Sequence, residues 1–281
     1  MIIEELKNIV LKSRQKNTSD LYIRSLLKEY LQVYVLNFIY LSSKYNRIFV
    51  FTGGTCLRHC FGLNRLSEDL DFDLEKEIDV NNFVEEIYNY FNKEYLYRDL
   101  QVSVLQKGKQ VLLKFPVLYQ LGLAKKPESD LLHVKIDLSA VVSNKYEKLT
   151  SLKSLYNFNY IVSHYDLSSM MANKIVAILT RNRQIGKENP NIIKGRDYFD
   201  LLWFLEKNIM PNLPRINDLM NKKYTLEKWF DKIDKKIELA CTKQKNHLKQ
   251  DLIPFVDNPL ILSRYVDSYS DNYERLKQLY L

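Results

Sequence analysis

One stretch, Phe49 to Leu74, constrains this chain more than any other. Arg47 to Phe51 reads as a short strand that runs directly into Gly53-Gly54, and Thr55 to Phe61 then resumes apolar residues at helical spacing. Leu70 to Leu74 alternates as a strand does, and Val80 to Phe91 returns to a helical period. The order is strand, glycine turn, helix, strand. With only 7 glycines in 281 residues, the one adjacent pair marks a place where the backbone needs unusual freedom or a close approach.

The second strand of this unit carries the chemistry. Alternate side chains of a strand share a face, so Asp69, Asp71 and Asp73 point the same way. Three carboxylates so placed repel one another, and the cost is offset if a cation sits among them; oxygen donors of this kind suit Mg²⁺. The turn at Gly53-Gly54 lets backbone N–H groups approach a ligand and opens a helix whose first turn is partially positive, which favours phosphate. A phosphate cradle beside a divalent-metal clamp is the equipment for a metal-bound nucleoside triphosphate.

The rest of the chain sorts into two parts. Ile2 to Lys12 and Leu21 to Leu41 are helical in period, with Ser19 and Asp20 as candidate caps. Leu100 to Leu105 and Gln110 to Val117 alternate around Lys107-Gly108-Lys109, which predicts a hairpin, and Leu132 to Leu138 predicts a further strand. From Leu167 onward the pattern is almost wholly helical, over Leu167 to Arg181, Gly195 to Lys207, Thr225 to about Leu248, and Ser263 to Leu281. Two domains are expected, at residues 1–165 and 166–281, an α/β half followed by a helical half.

A net charge of +8 favours polyanionic partners without identifying one. No apolar run approaches the roughly 20 residues that span a bilayer, and Glu4, Glu5 and Lys7 break any leader-like segment, so a cytoplasmic protein with no membrane partner is expected. Three cysteines are too few for a disulfide framework. Cys56 and Cys60 can face one another on a helix, where they read as buried small side chains rather than a metal site.

Four segments in order resemble a known family. Gly53-Gly54-Thr55, Leu57-Arg58, Arg65 and Ser67-Glu68-Asp69-Leu70-Asp71-Phe72 resemble the first motif of the AbiEii/AbiGii toxins, a branch of the DNA polymerase β-like nucleotidyltransferases. The resemblance implies that Gly53, Gly54, Thr55, Arg65 and Ser67 bind the nucleoside triphosphate and that Asp69 and Asp71 hold metal, with Asp73 an auxiliary carboxylate outside the matched pair. His133-Val134-Lys135-Ile136-Asp137-Leu138 resembles the second motif and makes Asp137 the third acidic residue, ahead of Asp130, which lies in a polar turn. Ser168 to Lys174 followed by Arg181 resembles the third, implying that Lys174 and Arg181 meet the triphosphate. Lys194 to Trp203 resembles the fourth. There Arg196 and Asp200 are spaced for a pair along one helix, and Asp197 is left for substrate positioning, proton transfer or a structural lock. Cys56, His59 and Cys60 depart from the small apolar residues more usual in the family.

The fold implied is α+β: a nucleotidyltransferase-fold mixed sheet flanked by helices, then a carboxyl-terminal helical bundle. The activity implied is transfer of a nucleoside monophosphate from an NTP bound with Mg²⁺ or Mn²⁺ to an acceptor hydroxyl, such as the 3′ end of a transfer RNA. Asp69, Asp71, Asp137, Lys174 and Asp197 would be the catalytic residues. The resemblance further implies the toxin of a toxin–antitoxin or phage-exclusion pair, with a cognate antitoxin as partner. Lys222, Lys223, Lys235, Lys236, Lys243, Lys245 and Lys249 could receive an RNA backbone or form a solvated face. An NTP-binding module that acts by sequestration, without turnover, is the alternative.

Overall fold

The computed structural model describes residues 2–181 and 193–280. It divides into two compact units, Met1–Val141 with Lys148–His164, and Val142–Glu147 with Tyr165–Leu281. The first contains α1 (Ile2–Gln15), α2 (Asp20–Leu41), β1 (Phe49–Thr52), α3 (Gly53–Phe61), β2 (Asp69–Leu74), α4 (Val80–Asn89), β3 (Gln101–Leu105), β4 (Gln110–Pro116), β5 (Leu131–Ala140), β6 (Lys148–Leu155) and the start of β7 (Phe158–Tyr165).

The strands form one sheet in the order β3-β4-β5-β2-β1-β7-β6. Antiparallel pairing joins β1 to β2, β3 to β4 and β4 to β5, while β2–β5 and β1–β7 are parallel, so the sheet is mixed as expected. Phe51 and Phe72 are register partners and stack with centroids 5.1 Å apart, and Phe49 adds an edge contact to Phe72 at 5.2 Å. These rings bury the middle of β1 and β2 on the face away from the carboxylates, because their neighbours at odd positions of β2 point to the opposite side.

The 22-residue α2 is capped by Ser19, whose hydroxyl accepts from the Tyr22 backbone N–H. It is buried on several sides, through Leu27, Leu31, Val33, Val35, Leu36 and Ile39, which makes it the central helix of this unit. The predicted hairpin is present, its reversal made by Gln106, Lys107 and Gly108, all at positive φ. Strands β6 and β7 were not predicted. Leu149, Leu152 and Leu155 recur every three residues rather than every two, and β6 is an exposed edge strand that has little need for a buried face. Tyr156 and Asn157, both at positive φ, turn β6 into β7 in the manner of a two-residue hairpin loop.

The second unit holds α5 (Leu167–Thr180), α6 (Gly195–Glu206), α7 (Leu213–Leu219), α8 (Leu226–Thr242), α9 (Lys245–Leu252), α10 (Pro259–Asp267) and α11 (Tyr269–Lys277). Helix α6 is buried along its whole length from Gly195 to Leu205, and a Cβ on Gly195 would come within 2.3 Å of the Leu248 carbonyl oxygen, so α6 and α9 meet backbone to backbone there. The helix expected from Thr225 to about Leu248 is two helices, divided where Thr242 to Lys245 offer no apolar anchor. The one expected from Ser263 is also divided, at Ser268, whose hydroxyl folds back onto the Arg264 carbonyl.

Candidate active site

Strand β1 delivers the chain to Gly53, where φ is +75° and α3 begins. A side chain is excluded there. A Cβ on Gly53 would lie 2.0 Å from Oδ2 of Asp71, the β2 residue that pairs with Thr52, and one on Gly54 would lie 2.8 Å from Nη2 of Arg65 and 2.9 Å from Oγ of Ser67. Both glycines thus lie in close approach to side chains, and Asp71, Arg65 and Ser67, all named by the sequence, gather around the amino terminus of α3. Thr52 provides no side-chain cap to that terminus. Arg65 and Ser67 are buried, and Arg65 donates from Nη1 to the Leu66 carbonyl at 2.8 Å.

Thr55 has a different duty from the one the motif suggests. Its side chain is fully buried and its hydroxyl donates to the backbone carbonyl of Asp69, so it ties α3 to the first residue of β2. Helix α2 braces the same strand entrance: Gln32 donates to the carbonyls of Ser67 and Glu68 at 3.2 and 2.9 Å, and Lys28 pairs with Glu68 at 2.7 Å. Neither residue was singled out in the sequence, because a buried Gln on an otherwise apolar helix has no local signature.

The acidic residues meet through the parallel pairing of β2 with β5, where Asp69 faces Lys135 and Asp71 faces Asp137. Asp69, Asp71 and Asp137 therefore share one face of the sheet. Lys135 sits two residues before Asp137 on the same strand face, and its ammonium lies 3.0 Å from Oδ2 of Asp69 and 3.0 Å from Oδ2 of Asp137. Burial pulls that ammonium down, but Asp69 and Asp137 outweigh it and hold it above the usual lysine value. Gln110, the register partner of Asp137 on β4, donates to Asp137 Oδ1 at 2.7 Å.

The all-carboxylate donor set fits Mg²⁺ or Mn²⁺ in chemistry. In the present arrangement no group of three His, Cys, Asp or Glu side chains among the described residues is gathered closely enough to hold a metal ion. Lys135, a cation supplied by the chain itself, lies against two of the three carboxylates. Period two along β5 points to that lysine, since it precedes Asp137 by two. Asp73 lies further along β2, beside Val50 and Ser139.

The remaining motif residues lie in the second unit and form a buried ion network. Lys174 on α5 reaches Asp197 Oδ1 at 2.9 Å and Asp200 Oδ2 at 2.8 Å, and Arg181, just past the end of α5, pairs with Asp197 Oδ2. Asp200 is fully buried. Burial would raise the Asp197 carboxyl, yet Lys174, Arg181 and Lys194 bring it down to about 2. Lys174 and Arg181 do share a face, as their spacing predicts, by converging on one carboxylate. Arg196 pairs with Asp251, at 3.3 Å, and its guanidinium lies 4.3 Å from the Phe255 ring centroid. The lysines of α8 and α9 are interleaved with Glu227, Asp231 and Glu238, and Lys245 pairs with Asp267 at 2.7 Å. Lys235 lines a cleft of about 610 Å³ together with Asp231, Asp234, Glu238 and Glu274. That face is mixed in sign.

Residues 40–270 match the family model described as nucleotidyl transferase AbiEii toxin, type IV TA system. The chain belongs to this family. The AbiEii match takes in the glycine turn, the three carboxylates, Lys135 and the Lys174 network, while Lys28 and Gln32 lie before it. Two crystal structures from Helicobacter pylori are similar in fold: a protein provisionally described as a nucleotidyltransferase, at 16% identity and TM-score 0.49 over 91% of this chain and 97% of that one, and JHP933, at 15% identity and TM-score 0.49 over 91% and 94%. Comparison with curated protein sequences gives no significant match. Among the described residues, no helix is long and apolar enough to cross a membrane.

Proposed function

We propose that this AbiEii-family chain transfers a nucleoside monophosphate from a metal-bound NTP to an acceptor hydroxyl, and that its first unit carries the nucleotide. The observation that supports this reading best is the contact of Asp71 with the Gly53 turn: it brings a carboxylate of the acidic face against the helix terminus suited to a triphosphate. Asp69, Asp71 and Asp137 would hold Mg²⁺ or Mn²⁺, which when bound supplies positive charge to the triphosphate and makes a coordinated hydroxyl more acidic. In the transfer, the acceptor oxygen bonds to the α-phosphorus, the bond from that phosphorus to the bridging oxygen of the β-phosphate breaks, and pyrophosphate leaves. Asp137 would be the group that takes the hydroxyl proton. Arg65 and Ser67, beside Gly54, and the backbone N–H groups of Gly54 and Thr55 would meet phosphate oxygens.

Lys174, Arg181 and Asp197 are assigned to the same reaction by their motifs. For the acceptor we propose RNA, in keeping with the net charge of +8, and the type IV toxin–antitoxin description of the family supports a cognate antitoxin as a genetic partner. The deciding experiment incubates the protein with Mg²⁺, total RNA and each α-labelled NTP in turn. Label should pass to RNA with the wild type and not with Asp69→Asn, Asp71→Asn or Asp137→Asn. Stabilisation by Mg·NTP with no label transferred and no pyrophosphate released would favour sequestration instead.

A further inference from the structure

Three carboxylates share one face of the sheet, and the ammonium of Lys135 lies against two of them. We propose that Lys135 is a resident counterion: in the metal-free protein it occupies the cation's place between Asp69 and Asp137, and metal binding displaces it. The inference rests on the metal–triphosphate reading above. The ammonium stands 3.0 Å from one oxygen of each of two carboxylates, so a metal held by those oxygens and the ammonium would compete for them. Gln110 holds the other oxygen of Asp137, so the carboxylate stays oriented whichever cation is present. The lysine stem is flexible enough to swing its ammonium outward while β5 stays in register. The acidic face thus remains ordered without metal, at the cost of weaker metal binding.

The test measures Mn²⁺ affinity by the resonance of the free ion, for the wild type, Lys135→Met and Lys135→Gln, with near-ultraviolet dichroism to verify folding. Removing a competing cation from two ligands should tighten Mn²⁺ binding by at least about tenfold in both variants. A second measurement uses the wild type alone: acylation of lysines by an activated ester, read by mass spectrometry, should rise severalfold at Lys135 when Mg²⁺ is added and stay constant at exposed Lys93. Equal or weaker Mn²⁺ binding by folded variants, or a Lys135 labelling rate indifferent to Mg²⁺ in a protein that binds it, would overturn the counterion role alone. Absence of Mn²⁺ binding in wild type and variants alike would overturn the metal reading and this inference together.

Discussion

The carboxylate of Asp71 stands where a side chain on Gly53 would begin: its Oδ2 is 2.0 Å from that Cβ position. The glycine is therefore fixed by contact as well as by its φ of +75°. Gly62, also at +75°, has nothing within 4 Å of its Cβ position and isolates the conformational part. Gly62→Ala should cost about 1 kcal/mol, from left-handed backbone alone. Gly53→Ala should cost at least ~2 kcal/mol, or push Asp71 aside and abolish nucleotide transfer. Urea denaturation of both variants gives the comparison; equal losses would mean that Asp71 yields without penalty.

Repulsion among three carboxylates predicts that Asp69→Ala stabilises the metal-free protein. The Lys135 bridge reverses the sign, since the substitution removes one of its two partners. A decrease of about 0.5–1 kcal/mol is expected, small because both side chains are partly exposed. A raised melting temperature in chelator would show repulsion to be the larger effect.

The Lys174 network should behave as a buried one. Asp200 has no exposed side-chain surface, and removing it as Asp200→Ala uncovers a buried ammonium, with an expected loss of about 3–5 kcal/mol. Arg181→Ala removes a side chain that is 43% exposed and should cost less than about 1 kcal/mol. Chemical denaturation separates the two. If Arg181→Ala proves the more damaging, the network is not held together through Asp200.

His59 on α3 offers a test by pH. Its Nε2 is buried without a hydrogen-bond partner, and burial first, then Arg58 and Lys153 against the opposing pull of Glu29, lower it to about 4 from an ordinary 6.5. Between those values the unfolded chain binds a proton that the folded one refuses, so stability falls as pH drops from 6.5 to 4. His59→Leu should remove a loss on the order of 2 kcal/mol across that window. Superimposable stability–pH curves for variant and wild type would mean that His59 takes up its proton without disturbing the fold.

Period two along β2 and the glycine pair made the acidic face and the turn readable in advance, because both depend on spacing within one short segment. Lys135 obeys the same period and was still passed over. Beside a presumed metal ligand, a lysine reads as solvent-facing until the pairing of β5 with β2 sets it opposite Asp69. Gln110 and Gln32 act across gaps of 27 and 36 residues, to Asp137 and to the Glu68 carbonyl, and no local pattern carries such information. Strand β6 escaped notice because an exposed edge strand has no strict alternation to keep, whereas β7 is an interior strand whose buried Tyr160, Val162 and His164 do alternate, a signal the sequence reading missed. The reach of Asp200 to Lys174 on another helix is a tertiary contact that spacing within one helix does not announce.

The parallel alignment of β2 with β5 also makes the chain sensitive to length in a particular way. Losing or gaining one residue in the stretch 131–136 would turn Asp137 to the opposite face of the sheet, and the site would lose a carboxylate outright. A shift of two would preserve the face and every apolar contact pattern, yet bring Lys135 level with Asp71 where Asp137 had been, exchanging a negative charge for a positive one. Such a protein would fold, keep its whole inventory of side chains, and carry an acidic face of altered sign. Two added residues here would change the charge of this face without unfolding the sheet.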